Sequence, residues 1–292
     1  MKPDWKAWTA LVVTIVIWAS FLIVTRAAMT SKIGITEVGL LRFGIGTLFF
    51  APVLIRSGPI PRGAGWREIL LIPGCGGLLF IVLLSFGLQR APVADSGIFT
   101  PSMLPFYVAL LSYFFLGERL ERSRIYGLVL IGTGALAVGG WEAIRNSGDG
   151  TWIGHLAFTA ASFSWAIYTI VFRKSGLNAA QAAAMMCFWA AIAFAVLALF
   201  QGTNFSAIPL KTLLIQGLFQ GVLSGFLATL TFFYAVTHLG ASRTAAFAAL
   251  VPILAAVGGW IFLGEPIGIL KAIGIGIVAT GVALASGVLA RR

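Results

Sequence analysis

Trp18 and Trp165 stand near the middle of long apolar runs, away from the lipid–water interface where tryptophan settles in membrane proteins. A mid-run pair suits either the walls of a cavity or a tight seam between helices. As walls, the indoles would stack on other rings, hold an ammonium by cation–π attraction and offer one N–H each. Arg42 lies two turns into another apolar run. A guanidinium there must be paired, hydrated or snorkelled to an interface; facing inward, it would attract a carboxylate. Pro105 and Pro252 fall near the centres of two further runs. Each proline removes an N–H and frees the carbonyl four residues back, here those of Pro101 and Ala248. In lipid such carbonyls need a partner or a wet cavity, so both prolines read as hinges or static kinks. Glu118 and Glu265 close the same two runs. They could act as gates with Arg or Lys partners, or as ties across the turns that follow.

The elements that must position these residues are set by hydropathy. Hydrophobic residues make up 59% of the 292 residues and charged residues 10%, with a mean hydropathy of +0.99. A soluble domain carries roughly a quarter charged residues, so lipid must be the solvent for most of this chain. A bilayer core needs about 20 apolar residues per helical crossing. The pattern predicts an all-α integral membrane protein with ten transmembrane helices. They cover about Ala7–Met29, Thr36–Ile55, Glu68–Leu88, Ser96–Leu116, Arg124–Trp141, Trp152–Phe172, Ala179–Phe200, Leu210–Val236, Thr244–Leu263 and Gly268–Leu289. The runs are continuous rather than alternating, which excludes barrel strands. The first run is too long for the apolar core of a signal peptide. Ten spans place both termini on one side, and that side collects thirteen Lys and Arg against six, with Arg42 inside a span. The positive-inside bias makes both termini cytoplasmic, and the expected location is the cell's inner membrane.

The chain also repeats itself. At a shift of 147 positions Trp18 meets Trp165, Arg26 meets Arg173, Phe86 meets Phe233 and Pro105 meets Pro252. Phe115-Leu116-Gly117-Glu118 meets Phe262-Leu263-Gly264-Glu265. Matches of Trp, Pro and Glu at one ungapped shift carry weight in so apolar a chain. Residues 7–141 and 152–289 thus form two five-helix repeats. Five is odd, so the second inserts upside down, giving a 5+5 inverted-topology repeat. In that architecture the substrate site lies near the midplane between the halves.

Several functions are excluded. The formal charge of +11 is scattered over short loops, with no basic run to track nucleic acid. Cys75 and Cys187 lie in apolar segments and read as buried thiols. His155 and His238 lack metal-ligand spacing and an acidic neighbour in sequence, so neither a metal, a cofactor nor membrane-embedded catalysis is expected. Gly132-Thr133-Gly134 and Gly274-Ile275-Gly276 follow no strand, so they predict close helix packing rather than a dinucleotide fingerprint. No phosphate-binding loop of the G-x-x-x-x-G-K-[ST] form occurs. Glu37, Glu68 and Asp95 sit only at span starts, so transport is either facilitated or coupled through groups at helix ends.

Together these features resemble the drug/metabolite transporter superfamily and its ten-helix EamA type. The resemblance rests on Trp-Ala-Ser-Phe at Trp18–Phe21, Trp-Ala-Ile-Tyr at Trp165–Tyr168, Arg42 in the second span, and Leu-Gly-Glu after each mid-helix proline. It covers nearly the whole chain and is strongest to the amino-acid exporters of that family. It implies a central cavity formed mainly by spans 1, 3, 4, 6, 8 and 9. On those spans Phe80, Phe99, Ser102, Ser162 and Tyr168 join Trp18, Trp165 and Arg42 as cavity candidates, with Gln220 and Ser224 one turn apart on span 8. The expected activity is export of amino acids, of aromatic or broad neutral range, or of related metabolites by alternating access. The expected partners are a zwitterionic small molecule and lipid; a monomer suffices. Phosphorylated or nucleotide sugars on the same fold would demand more buried cations than Arg42.

Overall fold

The computed structural model describes residues 4–118, 121–145 and 148–286. Lys2, Arg119, Arg291 and Arg292, which entered the charge bias, and Leu289, the expected end of the last span, lie outside them. Among the described residues every regular element is a helix. In chain order these are α1 (Trp5–Met29), α2 (Ile35–Phe49), α3 (Ala51–Ser57), α4 (Trp66–Leu88), α5 (Val93–Phe99), α6 (Leu104–Leu116), α7 (Arg122–Arg145), α8 (Thr151–Ser175), α9 (Ala179–Gln201), α10 (Leu210–Leu239), α11 (Ala241–Ala248), α12 (Leu250–Leu263) and α13 (Ile269–Ala285). Eight helical stretches are long and apolar enough to cross a membrane. The pair α2 and α3, bent by 64°, makes a ninth, and α13 is a shorter apolar helix of 17 residues. Large apolar side chains such as Leu48, Ile55, Phe114, Leu136, Leu199 and Phe262 are exposed, as a lipid-facing belt requires.

Local chemistry accounts for the helix ends. Asn178 caps α9 by accepting from Gln181 N at 2.9 Å, while Gln181 Oε1 accepts from Asn178 N at 3.1 Å, a reciprocal capping box. The duplicated Leu-Gly-Glu ends α6 and α12 identically. Gly117 and Gly264 adopt left-handed φ of 66° and 68°, which glycine alone adopts without a Cβ penalty. The following amides, Glu118 N and Glu265 N, then turn back onto Ser112 O and Gly259 O at 3.3 and 3.2 Å.

Two expected spans are interrupted. The second bends at Phe50, just before Pro52, which sits in the first turn of α3. The fourth is broken at residues 100–103, between α5 and α6. Pro105 therefore occupies the first turn of α6, where a missing N–H leaves no bond unmade. The expected kink is a break a few residues earlier. Pro252 likewise lies in the first turn of α12, just after α11 ends at Ala248. Three spans also carry wider π-helical turns, at Leu40–Gly44, Ile72–Leu79 and Gly217–Leu227. The last two coincide at the 147-residue shift.

Each half reaches into the other. α1 packs on α10 and α12, while its repeat mate α8 packs on α4 and α6. α7 and α13 pair through their glycines. A Cβ on Gly127 would stand 2.3 Å from Ala285 N, and one on Gly281 would stand 2.8 Å from Gly127 O. Backbones this close leave room only for small residues.

Candidate substrate cavity and its two ends

A cavity of about 110 Å³ lies where the halves meet. α1 contributes Trp18, Phe21 and Leu22, α2 contributes Arg42, and α4 contributes Phe80. The break between α5 and α6 adds Thr100 and Pro101, and the start of α6 adds Leu104; α8 adds Ser162 and Trp165, α10 adds Ser224, and α12 adds Val251. Arg42 and Ser224 stand on π-helical turns, and Phe80 directly follows one. Such turns recur at functional sites.

The aromatic walls are braced from behind. Phe80 and Trp165 approach with ring centroids 4.6 Å apart, Trp165 meets the edge of Tyr168 at 5.1 Å, and Trp18 meets Phe232 at 5.1 Å. Ser162 Oγ donates to Thr100 O at 2.8 Å across the halves. Among the described lining residues the one charged side chain is Arg42, which is 7% exposed. Its Nη1 donates to Ser224 Oγ at 2.7 Å, and its guanidinium lies 4.4 Å from the Phe21 ring centre. Nε has no hydrogen-bond partner. Among the described residues no carboxylate stands within ion-pair distance of this guanidinium.

Of the cavity residues expected from the sequence, Trp18, Arg42, Phe80, Ser162 and Trp165 line this space. Phe99, Ser102 and Tyr168 do not. Phe99 stacks on His155 at 4.6 Å, Ser102 Oγ donates to Gly97 O at 2.9 Å, and Tyr168 packs behind Trp165. Gln220 is fully buried and donates to Thr25 Oγ1 at 2.9 Å, bridging α10 to α1. Phe21 and Leu22 were missed, although they follow Trp18 by three and four positions and so share its helix face. Thr100 and Leu104 had no such signal, because their exposure depends on the helix break.

Two ion pairs that are repeat mates stand toward opposite ends of the bundle, one about two turns beyond Trp18 on α1 and the other about two turns beyond Trp165 on α8. At one end Arg26 Nε donates to Glu265 Oε1 at 2.7 Å, and Val93 N donates to Glu265 Oε2 at 2.7 Å. Arg26 also donates to Leu88 O. At the other end Arg173 donates to Glu118 and, at 3.0 Å, to Ser112 Oγ. Lys174 Nζ donates to Phe115 O at 2.9 Å beside it. The Arg173 hydrogen bond and charge hold the Glu118 carboxyl below its ordinary range.

The Arg26 end also holds a cluster that the sequence concealed. His155 Nε2 lies 2.9 Å from Asp95 Oδ2, and Lys271 Nζ lies 2.7 Å from Asp95 Oδ1. His155 thus acquires an acidic companion 60 positions away. Asp95, though near the start of its span, is fully buried. Cys75 and Cys187 are free, buried thiols.

A multi-pass helical bundle built from a duplicated unit, with a small aromatic cavity between its halves, has the architecture of a membrane transporter. The EamA-like transporter family matches residues 5–140 and again 152–287, and the chain belongs to that family. An uncharacterized transporter of Bacillus subtilis, YetK, is 25% identical over 97% of this chain and 87% of its own length. A protein of Streptantibioticus cattleyicolor named a probable terminal-alkyne amino-acid exporter is 26% identical over 91% and 88%. The pseudopaline exporter CntI of Pseudomonas aeruginosa is 31% identical over 43% of this chain and 45% of its own. A solved crystal structure shares the fold with a TM-score of 0.64 at 19% identity, covering 97% of both chains.

Proposed function

We propose that this protein exports small carboxylate-bearing solutes, neutral or aromatic amino acids foremost, by alternating access between its halves. In this reading it spans the inner membrane ten times, as inverted bundles of residues 7–141 and 152–289 with both termini cytoplasmic. The observation that carries the substrate class is Arg42. A buried guanidinium without a carboxylate is costly, and the other lining residues described are aromatic, apolar or neutral hydroxyl side chains. A substrate carboxylate accepting from Arg42 supplies the missing charge through a strong, charge-assisted pair. Trp18 and Trp165 present π faces to an ammonium or a side-chain ring. The names of two relatives, exporters of an unusual amino acid and of pseudopaline, support the same direction.

The test is purified protein in liposomes, assayed for uptake of labelled amino acids, with phenylalanine and phenethylamine as a pair differing in the carboxylate. Phenylalanine should move and phenethylamine should not. Arg42→Gln should lower phenylalanine uptake tenfold to hundredfold, since a hydrogen bond to a charged group contributes about 1.5–3 kcal/mol. Trp18→Ala and Trp165→Ala should weaken binding less. Uptake of phenylalanine by Arg42→Gln at the wild-type rate would remove the carboxylate assignment.

A further inference from the structure

We infer that Asp95, His155 and Lys271 form a proton-binding site whose occupancy controls opening of the Arg26 end. The inference rests on the alternating-access reading above and adds a second ligand to it. The three groups come from α5, α8 and α13 and are 0%, 5% and 9% exposed. Asp95 belongs to the first half; His155 and Lys271 belong to the second. The neighbouring Arg26–Glu265 pair also crosses between halves. Opening this end must therefore part Asp95 from its partners.

One ion pair and one hydrogen bond order the protons of the cluster. Lys271 stands against one oxygen of Asp95, which marks that group as a carboxylate. His155 Nε2–H then donates to the other oxygen, and Nδ1 is left with a bare lone pair. Nδ1 has no hydrogen-bond partner. It faces α7, where a Cβ on Gly139 would lie 3.7 Å away, and Phe99 covers the ring face at 4.6 Å. A proton on Nδ1 would find no acceptor here and would add positive charge close to Lys271. Asp95 attracts an imidazolium, but Lys271 already matches its charge at 2.7 Å.

The other charged groups described around this end are Asp149, before α8, and Arg26 with Glu265. With Lys271 they line an adjoining cavity of about 720 Å³, which supplies water to the cluster's edge. When the end opens, Nδ1 reaches that water and takes a proton from it. When the end closes, the proton returns to water and the Nε2–H···Asp95 bond re-forms. Acid on this side therefore favours the open form.

The repeat strengthens the point. The Arg–Glu pair recurs at both ends, as the duplicated fold requires. The 147-residue shift carries Asp95, His155 and Lys271 onto Ser242, Trp8 and Arg124. Those three positions hold neither a carboxylate nor an imidazole, so the cluster is not repeated by the duplication. Histidine is the side chain that changes charge between pH 5 and 8 without special tuning, which suits a carrier responding to a proton gradient.

Two measurements test this on the full chain without any solute. His238 is exposed and hydrogen-bonded within its own helix, so His238→Gln leaves one histidine for ¹⁵N NMR. That histidine should show the Nε2–H tautomer in alkali and gain one proton between pH 8 and pH 5. Separately, Leu22→Cys reports access to the central cavity through an impermeant thiol reagent applied from the Arg26 side, with the parent chain as blank. Labelling should accelerate on acidification by up to about tenfold per pH unit, the slope of one bound proton. It should be flat in a further His155→Gln variant, whose amide N–H can still donate to Asp95. A histidine that does not titrate, labelling that ignores pH, or an equal slope without His155 would each overturn the inference while leaving solute flux intact. A protein that titrates and opens but carries no amino acid would instead sink the transporter reading alone.

Discussion

The two ion pairs toward opposite ends of the bundle are one motif written twice, and the structure treats them differently. Arg26 and Glu265 are 16% and 15% exposed in their side chains and are further tied to Leu88 O and Val93 N. Arg173 and Glu118 are 42% and 38% exposed and, among the described residues, are tied further to Ser112 alone. Identical chemistry in identical turns thus gives a sealed end and a loose end. The lesson is that the duplicated sequence encodes both closures, while the packing of this one conformation completes only one. In an alternating-access carrier the two ends would exchange these roles.

The largest expected effect comes from breaking the sealed pair. Glu265→Gln leaves Arg26 largely buried without its carboxylate, a loss of about 3 kcal/mol. Thermal unfolding in detergent should register it as a clear fall in Tm, and hydrogen exchange should show the Arg26 end opening while residues around Arg173 become protected. Opening without that reciprocal protection would mean that the ends are independent. Glu118→Gln at the loose end should cost well under about 1 kcal/mol, as exposed pairs do, so equal destabilisation by both variants would erase the comparison. The smallest effect is set by pH. Arg173 depresses Glu118, so the pair contributes fully above the ordinary carboxyl value of 4.5 and fades as pH falls through the lower folded value. Amide exchange at Ser112–Glu118 should rise only in acid below that point; a rise already at neutral pH would assign the change to another group.

Much of this architecture was legible in residues alone. Hydropathy and charge content sufficed for the membrane class, and Trp18 and Trp165 at one ungapped shift exposed the duplication. Arg42 and the two tryptophans were marked by being costly or unusual where they stand. The wall positions were harder. Phe99 and Ser102 sit on the expected span, yet the break at residues 100–103 rotates them off the cavity and brings Thr100 and Leu104 onto it. Helices that are apolar all round carry no preferred face to read. Asp95 was visible as a residue at a span start but not as the partner of His155 and Lys271.

By itself, then, the order of residues determined the solvent of this protein, its helical content, its two-fold plan and the few charges that had to be accounted for. These follow from transfer free energies and backbone hydrogen bonding, which act locally and add along the chain. The tertiary structure alone decided which side of each helix meets the cavity, which carboxylate meets which cation across 55 to 239 positions, and which end is sealed. Those outcomes depend on how close-packed helices settle against one another, a collective choice that no single segment contains.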